Sequence, residues 1–128
     1  MTTFAAPRFA IFDLDGLLID SEPLWRLAEV EILGGLGVPL TEPMCFETMG
    51  LRIDEVVRYW HDRHSWPAAD LEAVEAAIVE RVRQLILARG APLPGALEAV
   101  AALDRAGSIL ALASSSPPVL IDAALAAL

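Results

Sequence analysis

Lysine is absent from this chain of 128 residues, so all nine of its basic residues are arginines. Eighteen acidic residues bring the formal net charge to −9. Nucleic acids and anionic membranes are bound through basic patches, so this composition argues against both as partners. A phosphate group in a ligand would have to be held locally, by a metal ion, by helix N-termini or by one or two arginines.

The chain also lacks long hydrophobic runs and has one cysteine. Its longest apolar stretches, such as residues 108–113, fall far short of the roughly 20 residues that a membrane span needs. Asp13 interrupts the first apolar segment before the core of a signal peptide can form. Cys45 has no histidine near it in sequence and is interpreted as a packed residue rather than a nucleophile. We therefore expect a cytoplasmic protein with a hydrophobic core.

Two short apolar runs predict β-strands. Residues 9–12 end at Asp13, and residues 108–113 end at Ser114. Neither run alternates between apolar and polar residues, which is typical of parallel strands covered on both faces. A helical pattern over residues 96–106 precedes the second strand. A helix followed by an apolar strand is half of a β-α-β unit, so we predict an α/β fold.

The long segment between the two strands has a helical pattern. Its apolar residues recur at helical spacing and predict helices over residues 23–37, 41–49, 52–64 and 70–89. Glycine and proline mark connectors at the two ends of this insert. The insert is either an ordinary helical subdomain or a lid over a functional site.

Two aspartates directly after the first strand are the clearest chemical feature of the sequence. Side chains at i and i+2 of an extended chain point the same way, so Asp13 and Asp15 should lie together where open α/β sheets bind ligands. A bound cation would offset their repulsion, and Mg²⁺ suits hard oxygen ligands. One alternative is a structural turn at Gly16. Another is a calcium loop, which fails because Leu17 and Leu24 stand where oxygen ligands belong.

The residues that follow extend this pair into a longer motif. Residues 13–22, Asp-Leu-Asp-Gly-Leu-Leu-Ile-Asp-Ser-Glu, resemble residue for residue the first motif of the haloacid dehalogenase-like phosphatases. Residues 112–117, Leu-Ala-Ser-Ser-Ser-Pro, resemble the second motif in the branch that contains β-phosphoglucomutase and the sugar-phosphate phosphatases. Residues 49–54 and 92–95 are similar to the bacterial hexitol phosphatases, also described as 2-deoxyglucose-6-phosphate phosphatases.

The resemblance implies a Rossmann-like parallel-sheet core, of which the first two strands are present, with an inserted all-helical cap. We expect residues 1–18 and 92–128 to form the core and residues 19–91 to form the cap. The family's third motif supplies a lysine, which this chain lacks, and its fourth supplies an acidic pair that cannot be placed. We therefore expect a truncated chain that is inactive alone and a monomeric full-length form. The alternative is a short protein that a partner completes.

The function implied by the resemblance is Mg²⁺-dependent hydrolysis of a small sugar or sugar-alcohol phosphate. Asp13 would form an aspartyl-phosphate, and Asp15 would act as general acid and then general base. The Asp13 carboxylate and the Asp15 carbonyl would hold Mg²⁺, while Ser114 and Ser115 would bind the phosphate. One of these serines or Ser116, the best placed, should also cap the next helix. A phosphosugar mutase and a degenerate non-catalytic fragment are the alternatives.

Gly50 and Arg52 are the candidate substrate-binding residues of the cap, by the same resemblance. From the sequence alone, Arg52 also fits a solvated residue at a helix start. His61 and His64 lie three apart on one helix, but no third metal ligand is evident, so we interpret them as surface or packed histidines. Three tryptophans are interpreted as cap core rather than as a platform that stacks on a sugar: Trp25, Trp60 and Trp66.

Overall fold

The computed structural model describes residues 5–67 and 70–128. Helices separate and follow two short strands in these parts of the chain. The elements are β1 (Phe9–Phe12), α1 (Glu22–Gly35), a 3-10 helix (Pro43–Thr48), α2 (Ile53–Arg63), α3 (Leu71–Arg89), α4 (Ala96–Arg105), β2 (Ile109–Leu112) and α5 (Pro118–Ala127).

The two strands pair in parallel, as the α/β prediction requires. Phe9 lies opposite Ile109 and Phe12 lies opposite Leu112. The Ser108 hydroxyl, which is buried, donates to the Pro7 carbonyl at 2.6 Å just before the paired residues. Because the strands are parallel, their carboxyl ends meet at one edge of the sheet, which is where such sheets place their ligands.

The sheet is less covered than the sequence pattern predicts. Phe9, Ile11 and Ile109 are 59%, 72% and 56% exposed, whereas Phe12 and Leu112 pack against the core. The prediction that both faces are covered is wrong for the described part of the chain. The sheet formed there has only β1 and β2, and a sheet of two strands leaves much of its apolar surface open.

Helix α3 is the centre of the hydrophobic core. It begins after Asp70, whose carboxylate accepts a hydrogen bond from the Ala73 N–H at 3.1 Å. One face of α3 is buried against α1, α2 and α5, so this helix joins the segment between the strands to the helix after β2. Burial of each large apolar side chain contributes about 1.5–3 kcal/mol. The buried residues of α3 are Ile78, Val82, Leu85 and Ile86.

Helix positions are close to those predicted, with two differences. Residues 41–49 contain a 3-10 helix rather than an α-helix, which is the form that short helical connectors commonly take. Leu97, an apolar residue in the helical pattern over residues 96–106, is exposed rather than buried. Trp60 and Trp66 are buried in the core, as predicted. Among the described residues, no helix has both the length and the apolar character required to cross a bilayer.

Candidate functional site

The carboxyl ends of β1 and β2 bring two predicted site residues to the same edge. The Ala113 N–H donates to the Phe12 carbonyl at 2.8 Å, which extends the strand pairing by one residue. Asp13 directly follows Phe12, and Ser114 directly follows Ala113. The predicted nucleophile and the predicted phosphate-binding serine are therefore neighbours in the fold although they are far apart in sequence.

A tight turn after β1 separates the two aspartates. The Asp13 carboxylate is exposed, and its Oδ1 accepts a hydrogen bond from the Leu14 N–H at 2.7 Å. The Leu14 carbonyl accepts hydrogen bonds from the N–H groups of residues 17–19, and Gly16 has a φ of 72°, in the left-handed region. Since β1 ends at Phe12, strand alternation does not extend to Asp15, whose carboxylate lies against the start of α1 instead.

The Asp15 carboxylate accepts hydrogen bonds from three side chains. The Ser21 hydroxyl donates to its Oδ1 at 2.6 Å, and the Trp25 indole N–H donates to the same oxygen at 3.4 Å. The Ser116 hydroxyl donates to Oδ2. Ser21 and Trp25 belong to the start of α1, and Ser116 belongs to the loop before α5. Asp15 therefore joins the insert to the loop after β2.

The Ser116 hydroxyl does not cap the helix that follows it, although the sequence predicts this role. Ser116 precedes α5 and Ser21 precedes α1, but neither helix has a side-chain cap hydrogen bond. Both hydroxyls point towards the carboxylate, where a charge-assisted hydrogen bond is about twice as strong as a neutral one. Ser114 instead accepts a hydrogen bond from the Ser116 N–H at 3.1 Å. No sequence motif predicts that Trp25 joins this network.

A cavity of about 560 Å³ lies beside Asp15, within the range typical of small-molecule sites. The loop before α5 and residues between the strands form its walls. Asp13 and Ser114 are at the strand ends and outside the lining. Four of the six predicted site residues line it: Asp15, Gly50, Arg52 and Ser115.

One face of α1 forms a wall of this cavity. Glu22 lies three and four residues before Trp25 and Arg26, which lie four and three residues before Glu29, so the side chains of these residues lie on the same side of the helix. Trp25 is half-buried: it packs against the hydrophobic core, as predicted, and it also lines the cavity. Burial, and then the charge of Asp15, raises the pKa of Glu22.

Glu29 and Cys45 form a buried pair at the same wall. Burial raises the pKa of Glu29 to about 7. Burial, and then the neighbouring Glu29 charge, raises the pKa of Cys45 to about 12. The Cys45 thiol donates to the Thr41 carbonyl at 3.6 Å. A thiol with so high a pKa is a poor nucleophile, which confirms the interpretation of Cys45 as a packed residue.

Arg52 is both a residue at the start of a helix and a residue of the cavity lining, so it fits both of the roles that the sequence left open. It precedes α2, and its N–H donates to the Glu55 carboxylate at 2.9 Å, so it is a helix-start residue. Its exposed side chain, 3.3 Å from the Asp54 carboxylate, also lines the cavity. His61 and His64 lie apart from this site. The His61 ring packs on Trp66, and its Nε2 is 3.2 Å from the Trp66 carbonyl.

The oxygen donors at the end of β1 fit a hard cation such as Mg²⁺. The exposed Asp13 carboxylate accepts a hydrogen bond from the N–H of its own neighbour, and no backbone N–H of the described residues donates to the Asp15 carbonyl. Magnesium keeps several waters and binds through one or two carboxylates, so these two donors suffice as a partial site. Within residues 5–67 and 70–128, no three acidic, histidine or cysteine side chains cluster around a metal position.

Comparison with known sequences identifies relatives over nearly the whole chain. A family model described as haloacid dehalogenase-like hydrolase matches residues 7–128. Hexitol phosphatase B of Escherichia coli strain K12 is 43% identical over 109 residues, which cover 84% of this chain and 49% of the relative. The chain therefore spans about half the length of the curated relatives that it matches.

Solved structures share the fold. CbbY from Rhodobacter sphaeroides, determined in complex with phosphate, has a TM-score of 0.81 and 26% identity, and the match covers 94% of this chain and 56% of that chain. A protein from Thermotoga maritima assigned as a β-phosphoglucomutase has a TM-score of 0.70 and 28% identity, over 92% of this chain and 54% of that chain. These matches confirm the predicted α/β fold with a helical insert between parallel strands.

Proposed function

The chain belongs to the haloacid dehalogenase-like hydrolase family, and we propose that it supplies the nucleophile and the substrate-selecting cap of a phosphatase for small sugar or sugar-alcohol phosphates. The main support is the position of Asp13, exposed at the carboxyl end of β1 beside the end of β2. The 43% identity to hexitol phosphatase B supports this class of substrate.

In this proposal Asp13 attacks phosphorus. A bond forms between its carboxylate oxygen and phosphorus while the bond from phosphorus to the leaving alcohol breaks, which gives an aspartyl-phosphate. The hydrogen bond from the Leu14 N–H orients the attacking carboxylate. Asp15 protonates the departing oxygen and then accepts a proton from the water that hydrolyses the intermediate.

Phosphate binding falls to the loop between β2 and α5. Ser114 and Ser115 offer hydroxyl groups there, and the N-terminus of α5, a helix of 10 residues that begins at Pro118, offers a partial positive charge. We propose that the Asp13 carboxylate and the Asp15 carbonyl hold Mg²⁺, which when bound supplies positive charge that offsets the charge of the phosphoryl group.

Substrate selection falls to the helical insert. We propose that residues 19–91 act as a cap on a core formed by residues 1–18 and 92–128, and that Gly50 and Arg52 contact the part of the substrate away from the phosphate. Both residues line the cavity beside Asp15, which supports this assignment. We propose that the ligand is a small phosphorylated metabolite. We also propose that the full-length protein is a monomer located in the cytoplasm.

A phosphosugar mutase is the second candidate, because the chain is 28% identical to the Thermotoga maritima protein assigned as a β-phosphoglucomutase. Both reactions begin with the same attack by Asp13. They differ in the fate of the aspartyl-phosphate, which a phosphatase passes to water and a mutase passes to a sugar hydroxyl.

The test uses the protein translated from the complete reading frame in which the codons for residues 1–128 lie. With Mg²⁺ and sorbitol 6-phosphate, we expect release of inorganic phosphate, and we expect Asp13→Asn to abolish it while the protein stays folded. Phosphate release that survives in Asp13→Asn contradicts the proposal. Conversion of β-glucose 1-phosphate to glucose 6-phosphate with no release of phosphate favours the mutase.

A further inference from the structure

Glu29 is a buried carboxyl group that the proposed reaction does not use. It lies in the middle of α1, is 7% exposed, and its Oε2 has no hydrogen-bond partner within the described parts of the chain. Two other buried polar atoms share this property there, the indole nitrogens of Trp60 and Trp66, but neither tryptophan lines the cavity. Buried polar atoms are almost always paired, so a residue of the cavity wall that has an unpaired carboxyl oxygen indicates a place for a ligand.

The groups around Glu29 do not offset its charge with an ion pair. On its own helix, Arg26 pairs with Glu42 at 3.3 Å and packs over the ring of Phe46. From the 3-10 helix, the facing group is the Cys45 thiol, whose hydrogen bond to the Glu29 side chain lowers the pKa of Glu29 by less than burial raises it. Burial holds the pKa of Glu29 near 7, so much of this group is a neutral carboxylic acid at neutral pH. A carboxylic acid can both donate and accept a hydrogen bond.

The position of Glu29 relative to Asp15 suits the far end of a substrate. Trp25 contacts Asp15, and Glu29 is four residues further along α1, about 6 Å along the helix axis. Five acidic residues and two arginines line the cavity. This excess of acidic groups opposes a second phosphate at the far end and leaves neutral hydroxyl groups as the fitting chemistry.

We propose that Glu29 is a specificity-determining residue that hydrogen-bonds a hydroxyl group of a singly phosphorylated sugar alcohol or sugar. The inference rests on the proposed function and adds a residue and a chemical selection to it. A hydroxyl group satisfies the free Oε2 whether it donates or accepts. An aryl group in the same place leaves that oxygen unpaired, so the site discriminates against it.

The experiment measures equilibrium binding by the protein from the whole reading frame, in an Asp13→Asn background that stops turnover. The ligands are sorbitol 6-phosphate and phenyl phosphate. Their binding is measured by calorimetry or by the change in fluorescence of Trp25 in the cavity wall. We expect Glu29→Met to weaken sorbitol 6-phosphate binding about 10- to 100-fold and to change phenyl phosphate binding less than about twofold. Glu29→Gln, which keeps a donor and an acceptor, should retain most of the affinity.

A matched control is Glu31→Met, two residues along α1, where the exposed glutamate pairs with Arg81 and lies outside the cavity lining. This variant should bind both ligands as the parent does. Equal losses for both ligands in Glu29→Met, or no loss for either, overturn the inference, as does a parent protein that fails to bind sorbitol 6-phosphate. If Glu29→Met does not fold, Glu29→Ala is measured with the same ligands.

Turnover of the protein with Asp13 intact is measured separately, which keeps the two proposals distinguishable. Selective binding that depends on Glu29 without phosphate release contradicts the proposed function and leaves the assignment of Glu29 standing. Phosphate release with selectivity that does not depend on Glu29 contradicts the assignment of Glu29 alone.

Discussion

The strand-end loops and the helical insert supply the two sides of the site in different ways. On the strand side, the candidate chemical groups come from two short stretches, residues 13–22 and 112–117, whose order in sequence fixes their place in the fold. On the helical side, the cavity wall is assembled from separate elements, with Glu29 on α1, Cys45 on the 3-10 helix and Arg52 before α2. The groups proposed for catalysis therefore come from two short stretches of sequence, whereas the groups of the cavity wall come from several separate elements.

Side chains on the strand side of the site are more exposed than the Glu29 side chain on the helical side. Outward side chains of β1 and β2 such as Ile11 are exposed, whereas the Glu29 carboxyl is enclosed within the helices. The Asp13 side chain is exposed to solvent, whereas the enclosed Glu29 carboxyl is desolvated, which raises its pKa. We therefore expect substitutions on the strand side to change rate, and substitutions on the helical side to change stability and selectivity.

After the complete loss of activity expected for Asp13→Asn, the largest expected effect is that of Asp15→Asn on the rate. Loss of a general acid should lower kcat about 100- to 10,000-fold with a sugar phosphate. The loss should be smaller with an aryl phosphate, because phenolate is a better leaving group and needs less protonation. The measurement is kcat against the pKa of the leaving group for both proteins. Asp20→Asn, at an exposed aspartate of the same motif, is the control; a loss there as large as in Asp15→Asn would show a general effect of charge.

The next effect is on the pH dependence of stability in Glu29→Gln. The pKa of Glu29 is raised from 4.5 in the unfolded chain to about 7 in the folded one. Below pH 4.5 both states are protonated, so the group does not affect stability. As pH rises from 4.5 to 7 the unfolded state loses its proton first, so the wild-type free energy of unfolding falls. Above pH 7 the full loss is roughly 3 kcal/mol.

Glu29→Gln should avoid this loss and become the more stable protein as pH rises, which denaturant unfolding at pH 4 to 9 can measure. Other titrating groups, including Glu22 and Arg26 on the same helix, remain in both proteins and largely cancel in the difference. Glu31→Gln is the control, since its hydrogen bond with Arg81 lowers the pKa of that carboxyl and gives the opposite sign. A stability difference for Glu29→Gln that does not change with pH would mean that folding does not raise the pKa of Glu29.

The smallest effect is expected for Arg52→Ala. Arg52 is exposed and its ion pair with Asp54 is on the surface, so the substitution should change stability little. If Arg52 contacts the substrate from the cap, kcat/KM should fall about 10-fold with sorbitol 6-phosphate and much less with phenyl phosphate. Arg58→Ala is the matched control, because Arg58 lies 4.0 Å from the same Asp54 but not at the cavity. Equal effects of the two substitutions would remove Arg52 from substrate recognition.

The sequence predicted the fold better than it predicted the site. The apolar strand β1, the cap residue Asp70 and the breaks at glycine define elements through neighbouring residues, so their positions follow from local pattern. Coverage of the strands did not follow, because an apolar run gives no information on what packs against Ile11. The free oxygen of Glu29 and the hydrogen bonds from Ser21 and Ser116 to Asp15 depend on contacts between distant segments, which no local pattern contains.

The most direct test of the central claim, that Asp13 is the nucleophile at the end of β1, is detection of the covalent intermediate. The protein from the whole reading frame would be mixed with Mg²⁺ and a sugar phosphate, quenched in acid within one turnover, digested and analysed by mass spectrometry. The account predicts phosphate on Asp13 in the unmodified protein and none in Asp13→Asn. Phosphate on another residue, or rapid turnover without any phosphorylated peptide, would contradict it.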